Sequence, residues 1–91
     1  MVKGDGFMNY QEEFKKIVLG YVLDHLDKTD DNNVTIDDVY VVWFSKTLQN
    51  AKALLSTNLP DGMYYEVTYN GDKEEAYLDA YKKFDNKRII L

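Results

Sequence analysis

The chain has 91 residues and a formal net charge of −5, from 11 Lys and Arg against 16 Asp and Glu. This length suits one small domain, and the acidic balance disfavours direct contact with nucleic acid while favouring basic partners. The absence of cysteine excludes disulfides, zinc-thiolate sites and thiol nucleophiles, and fits a cytoplasmic protein.

A loose leader is expected over residues 1–8, ahead of a single domain over residues 9–91. The leader has two glycines, no helical periodicity and no signal-peptide core, and Met8 offers an alternative start. No apolar stretch in the chain approaches the length of a membrane span. The sequence therefore predicts no membrane association.

A long helix is predicted over residues 10–28. Asn9 is a suitable N-cap, with Glu12 and Glu13 in the first turn. Gly20 in the helix interior indicates close approach to another element. The core-facing side chains recur at helical spacing: Phe14, Ile17, Val18, Tyr21, Val22 and Leu26.

The polar segment 27–38 has two interpretations. Six side chains fall at the ligand spacing of an EF-hand calcium loop: Asp27, Thr29, Asp31, Asn33, Thr35 and Asp38. Against calcium, Asn32 stands where the loop needs glycine, Asp38 replaces the bidentate Glu, and a strand pattern follows. A solvated loop is therefore favoured, with a brief helical turn capped by Thr35 and Asp38. No metal or cofactor is predicted.

Two strands are predicted next, over residues 39–48 and 51–57, with a turn at Gln49-Asn50 between them. The first is dense in β-branched and aromatic residues. A helix over residues 45–55 stays open as an alternative, because that stretch contains good helix formers. Residues 59–62, Leu-Pro-Asp-Gly, predict a turn.

A hairpin is predicted over residues 63–83, turning at Asn70-Gly71, a dipeptide that favours a two-residue type I′ loop. In this register Val67 pairs with Glu74, and a three-residue loop would instead place Leu78 among polar neighbours. The apolar face carries Met63, Tyr65, Val67, Ala76, Leu78 and Ala80. The second face carries Tyr64, Glu66, Thr68, Lys73, Glu75, Tyr77, Asp79 and Tyr81.

The predicted fold is α+β, with one long N-terminal helix packed on one face of a four-stranded antiparallel β-meander. A single helix leaves the other sheet face uncovered. The candidate binding residues on that face are Tyr64, Glu66, Glu75, Tyr77, Asp79 and Tyr81. The first strand adds either Tyr40 with Phe44 or Trp43, depending on its register.

Two interpretations of this uncovered face stay open. Tyrosine is common in protein interfaces, and Glu66 opposite Glu75 is an unfavourable like-charge pair that a partner's Lys or Arg would relieve. Alternatively, the tyrosines pack on one another and the carboxylates are solvated, since antiparallel sheets often keep one wet face.

The sequence contains no catalytic signature, and we expect no enzymatic activity. His25, the only histidine, suits a helix-dipole or packing role. The only basic cluster lies at the end of the chain: Lys82, Lys83, Lys87 and Arg88. Residues 84–91 are expected to extend the last strand or to pack against the helix.

Two strings, VYVVWFSKTLQNAKALLS and LPDGMYYEVTYNGDKEEAYLDAYKKFDN, resemble a family of small uncharacterised proteins encoded by phages and prophages of Gram-positive bacteria. The resemblance covers residues 10–86 and is strongest from Asp38 onward. It implies expression in the cytoplasm of an infected or lysogenic bacterial cell. It implies no activity and no catalytic residues.

Three hypotheses follow for function. The leading one is a non-catalytic module that binds a host or phage protein through the uncovered sheet face. The second makes that face a homodimer interface. The third is an acidic nucleic-acid mimic that inhibits a host defence nuclease, such as a CRISPR effector, with binding that weakens steeply as salt rises.

Overall fold

A computed structural model describes residues 9–25 and 34–91 of the protein. Within these residues, helix α1 spans Tyr10–His25 and a short 3-10 turn spans Ile36–Asp38. The strands are β1 at Val39–Thr47, β2 at Asn50–Thr57, β3 at Met63–Asn70 and β4 at Glu75–Lys82. They form one antiparallel sheet in the order β1-β2-β3-β4. The predicted α+β architecture is confirmed.

Helix α1 begins as the sequence predicts. The Asn9 side-chain oxygen accepts a hydrogen bond from the Glu12 N–H at 3.2 Å, which satisfies one of the free amides of the first turn. The close approach predicted at Gly20 is wrong, because an added Cβ there would meet no atom within 4 Å. Residues 26–28 of the predicted helix and the leader 1–8 lie outside the described residues.

The core lies between α1 and the first three strands of the sheet. Helix and sheet meet because both have an apolar face, with a period of 3.6 in the helix and of 2 in the strands. The buried hydrophobic side chains are Phe14, Val18, Val22, Val39, Ala51, Ala53, Leu55, Tyr65 and Val67.

Strand β1 contains a bulge that the sequence did not indicate. Val41 pairs with Leu55 and Trp43 with Leu54, so Val42 is the extra residue. The bulge reverses the alternation of β1 at this point. Phe44 therefore faces the helix, with its ring 6.1 Å from that of Phe14.

Tyr40 and Trp43 consequently both lie on the face away from α1. The sequence offered either Tyr40 with Phe44 or Trp43 alone, and neither set is right. A regular strand could not place residues 40 and 43 on one side, and only the extra residue allows it.

Of the first two turns in the sheet, the β1–β2 turn lies one residue from its predicted position and the β2–β3 turn lies where the sequence predicted it. The β1–β2 turn consists of Leu48 and Gln49, one residue earlier than expected, and Leu48 takes a positive φ of 55°. The alternative helix over residues 45–55 is wrong, because these residues form β1 and β2. The turn at residues 59–62 is confirmed, with Gly62 at a φ of 69°.

The β3–β4 register differs from the prediction by four positions. The loop has four residues, 71–74, so Val67 pairs with Leu78 instead of Glu74. Because the shift is an even number of residues, every side chain within the two strands stays on its predicted face, whereas Lys73, predicted on the second face, lies in the loop. Leu78 gains a place against the core beside Val67.

The longer loop has a local cause in Asn70. Its side-chain oxygen accepts hydrogen bonds from the N–H groups of Asp72 at 3.0 Å and Lys73 at 3.4 Å. This Asx-type arrangement closes the turn in place of a type I′ pair. The residue with positive φ is Glu74, at 53°, and not Gly71.

Two further expectations concern the loop 27–38 and the segment 84–91. Asp38 accepts a hydrogen bond from the Thr35 N–H at 2.9 Å, which confirms the predicted capped turn. Four of the six calcium-loop positions, residues 27–33, lie outside the described residues. The segment 84–91 neither extends β4 nor packs against α1, because it has no regular structure and all of its residues are exposed.

Candidate functional site

The sheet face opposite α1, which we call the open face, carries four residues from each strand in cross-strand rows. The first row is Tyr40, Ser56, Tyr64 and Tyr81. The second is Trp43, Leu54, Glu66 and Asp79. The third is Ser45, Lys52, Thr68 and Tyr77. The fourth consists of two pairs, Thr47 with Asn50 and Asn70 with Glu75. All six predicted binding residues lie on this face.

Aromatic side chains are concentrated in the first three rows. Tyr77 is 54% exposed, Tyr81 52% and Trp43 42%, and Tyr64 is half-buried. The bulged Val42 is also exposed beside them. Large apolar groups that remain this accessible on one side of a sheet are typical of an interaction surface.

The aromatic rings of the open face do not pack as pairs with one another. The ring pairs among the described residues all lie on the helix side, within the set Tyr10, Phe14, Tyr21, His25, Phe44, Tyr65 and Tyr69. The interpretation in which the exposed tyrosines stack on each other therefore has no ring contact to support it.

A like-charge pair stands in the middle of the open face, but with different members from those predicted. Glu66 lies opposite Asp79, whereas Glu75 lies opposite Asn70, so the predicted Glu66–Glu75 pair is wrong. The four-residue shift in the β3–β4 register is the cause. The exchange still leaves two carboxylates facing each other across adjacent strands.

Lys52 is the only cation in the four rows. Its Nζ lies 3.7 Å from Glu66 Oε2. Three carboxylates share the open face with that one ammonium group: Glu66, Glu75 and Asp79. The net charge of the open face is therefore negative.

Two tyrosine hydroxyls donate hydrogen bonds to these carboxylates. Tyr77 bonds Glu75 Oε1 at 2.5 Å, and that bond raises the pKa of Tyr77 above 10.0. Tyr81 bonds Glu66 Oε1 at 3.5 Å, and the negative charges of Glu66 and Asp79 raise the pKa of Tyr81. Both hydroxyl groups therefore hold their protons more tightly than a free tyrosine does, and both are turned towards carboxylates of the open face.

Sequence reasoning did not name Val42, Lys52 and Leu54 as part of this surface, and it offered Tyr40 and Trp43 only as alternatives to each other. Tyr40 and Trp43 depend on the β1 bulge, which had no signal in the sequence. Leu54 has apolar neighbours on both sides in the run Ala53, Leu54, Leu55, and the alternation of β2 places it on the open face beside Trp43 and Glu66.

The remaining candidate groups lie elsewhere in the protein. His25 stacks on Tyr21 with ring centroids 4.0 Å apart, and its Nδ1 lies 2.9 Å from the Tyr21 carbonyl oxygen, so it has the packing role expected for it. In residues 9–25 and 34–91, no group of three or more His, Asp or Glu side chains is arranged to hold a metal ion. No helix in those ranges has the length and hydropathy of a membrane span.

Comparison with known proteins gives one match. No curated protein and no solved structure matches the chain. A family model described as a family of unknown function, DUF6275, matches residues 11–90. This range includes nearly all of α1, the whole sheet and most of the segment after β4. The chain therefore belongs to the DUF6275 family of unknown function.

Proposed function

We propose that this DUF6275 protein is a non-catalytic accessory protein of a phage or prophage, which binds a host or phage protein through its open face. On this proposal it acts in the cytoplasm of a Gram-positive host, as the resemblance of residues 10–86 implies. One observation carries the proposal: aromatic and acidic side chains share a sheet face that α1 does not cover. These residues are Tyr40, Trp43, Tyr64, Glu66, Glu75, Tyr77, Asp79 and Tyr81.

The aromatic part of the surface supplies the expected affinity. Tyr and Trp bury a large area at a small cost in side-chain entropy, and they dominate the energetics of many protein interfaces. Trp43, Tyr77 and Tyr81 are about half exposed, so much of their area is still available to a partner. A partner that covers these rings would obtain its main anchors from them.

The acidic part supplies specificity. The pair Glu66 and Asp79 has only Lys52 nearby to offset its charge. Electrostatic complementarity steers association and rejects wrong partners more than it adds affinity. The open face therefore fits a partner whose contact surface is basic.

The test is affinity capture from a lysate of a Gram-positive host, followed by measurement of the captured protein against purified variants. The variant Tyr77→Ala/Tyr81→Ala should lose binding by at least about tenfold, since each removes an anchor ring. Leu23→Ala is the matched control, because Leu23 is equally exposed but lies on α1, and it should bind normally.

Two results would contradict the proposal. If the Tyr77→Ala/Tyr81→Ala variant binds as well as wild type, the open face is not the binding surface. If affinity instead depends steeply on salt and is insensitive to the tyrosines, the acidic nucleic-acid mimic replaces it, because counter-ion screening governs such binding.

A further inference from the structure

The segment Phe84–Leu91 exposes large apolar side chains that the helix and the sheet do not cover. Phe84 is 99% exposed, Ile89 74% and Ile90 80%. The Lys83 N–H donates to the Gly62 carbonyl at 2.7 Å, which holds the chain at the end of β4. Beyond that point the segment leaves the sheet without regular structure.

The side chains of the same segment carry a net charge of +1, from Lys87 and Arg88 against Asp85, where the open face is acidic. Lys87 and Arg88 stand directly before the run Ile89-Ile90-Leu91. The cationic groups of the segment are thus complementary to the carboxylates of the open face, and its apolar groups are complementary to the aromatic rings. The family match extends to residue 90, so this segment is part of the matched domain.

We propose that Phe84–Leu91 of one copy docks on the open face of a second copy, in a reciprocal dimer. This inference rests on the proposed function, because it takes the open face to be an interaction surface. Arg88 pairs with Glu66 and Asp79 of the other copy, and the apolar side chains cover Trp43 and Tyr81.

Arginine suits the centre of this surface better than any other cation. Its planar guanidinium bonds a carboxylate with two parallel N–H groups and stacks on aromatic rings. Glu66 and Asp79 are cross-strand neighbours, with Trp43 and Leu54 in the same row. One guanidinium from outside can therefore meet both kinds of partner there.

A second copy is the favoured occupant for two reasons. Among residues 9–25 and 34–83 of the same chain the segment finds no site, since its apolar side chains remain exposed. The contact is also reciprocal: each copy supplies one segment and receives the other's on its open face, so the buried area is twice that of a single docked segment.

The oligomeric state of the full chain tests the proposal by light scattering and sedimentation across a concentration range. Wild type should dimerise. Arg88→Glu and Asp79→Lys should each raise the dissociation constant by about tenfold or more, since each juxtaposes like charges. Lys16→Glu, which makes the same change of charge as Arg88→Glu but on α1, should dimerise like wild type.

Mixing the two variants separates a docked contact from a general effect of charge. A mixture of Arg88→Glu with Asp79→Lys should recover dimers, because both reciprocal pairs again join opposite charges. The double variant should recover them as well. Trp43, the only tryptophan, should report docking by a fluorescence blue shift as concentration rises.

A protein that stays monomeric at all concentrations would overturn this inference. A dimer whose dissociation constant is unaffected by Arg88→Glu would also overturn it. So would a monomer in which deletion of residues 84–91 shifts the emission of Trp43, because the segment would then dock on its own chain. These failures leave the proposed function intact if a foreign protein still binds through Tyr77 and Tyr81. If the protein dimerises, the mixed charge variants recover the dimer and no foreign protein binds, this inference stands. The proposal that the open face binds a host or phage protein would then be wrong.

Discussion

Gly71 lies so close to Gln49 that an added Cβ would stand 2.1 Å from the Gln49 carbonyl oxygen. This contact brings the β3–β4 turn against the β1–β2 turn. Two hydrogen bonds join the same turns, from the Gly71 N–H to Asn50 Oδ1 at 3.2 Å and from Gln49 Nε2 to Asp72 Oδ1 at 2.6 Å. Glycine at this position is therefore required by close packing.

We expect Gly71→Ala to lower the free energy of unfolding by about 1–3 kcal/mol, the usual cost of overpacking, because backbone and not a flexible side chain blocks the new methyl group. Urea denaturation of wild type and variant measures the difference. A variant as stable as wild type would show that the two turns do not touch.

Gly20→Ala should have the opposite effect. Gly20 lies inside α1 and is exposed, and apart from the helix's own nearby backbone no atom of the described residues lies within 4 Å of the position of an added Cβ. Alanine is favoured over glycine in a helix interior by about 0.8–1 kcal/mol. The free energy of unfolding, measured by urea denaturation, should rise by about that amount. A loss of stability would mean that another element packs on this part of the helix.

The sequence predicted the types of element and the faces of the hairpin because these follow from local periodicity. Phe14, Val18 and Val22 repeat at helical spacing, and Tyr65 and Val67 alternate with polar residues. Register depends instead on turn geometry, and the Asn70 side chain closes a longer turn than Asn-Gly suggests. An alternating pattern cannot reveal a register error of four residues, because an even shift keeps each strand side chain on the same face of the sheet.

The candidate surface was predicted in part for the same reason. The tyrosines and acids of β3 and β4 follow from alternation alone. Trp43 and Tyr40 needed knowledge of the bulge at Val42, which arises from pairing with β2 and has no mark of its own in the run VYVVWF. The partner of Glu66 changed from Glu75 to Asp79 with the register.

Truncation of the open-face tyrosines should leave the fold intact. Tyr77 and Tyr81 are about half exposed, so Tyr77→Ala/Tyr81→Ala should cost only about 0.5 kcal/mol per residue, as is usual for surface sites. Leu55→Ala removes a fully buried side chain and should cost about 2–5 kcal/mol. Thermal unfolding of the two variants distinguishes a surface role from a core role. A large loss for the tyrosine variant would mean that these rings hold the sheet together.

Asp79→Asn should stabilise the isolated protein slightly. It removes the like charge opposite Glu66 but leaves the Lys52–Glu66 pair in place, and such cross-strand terms amount to about 0.2–1 kcal/mol. The gain should shrink at high salt, where surface charges are screened. Urea titrations at low and high ionic strength provide the measurement. An equal gain at both would show that it has another origin than charge.

Tyr65 should make stability fall at alkaline pH. Burial, the Asp61 carboxylate and Tyr21 raise the pKa of Tyr65 above 10.0. The folded protein then holds this proton more tightly than the unfolded chain does. The stabilisation is fully present below pH 10, and it is lost as the pH rises from there through the folded pKa.

Tyr65→Phe removes the ionisable group and keeps the buried ring, so the variant should lose less stability than wild type between pH 9 and 11.5. Thermal unfolding midpoints across that range give the comparison. Parallel curves would mean that the Tyr65 hydroxyl is as well solvated in the folded protein as in the unfolded chain, and so does not lie in the core between α1 and the sheet.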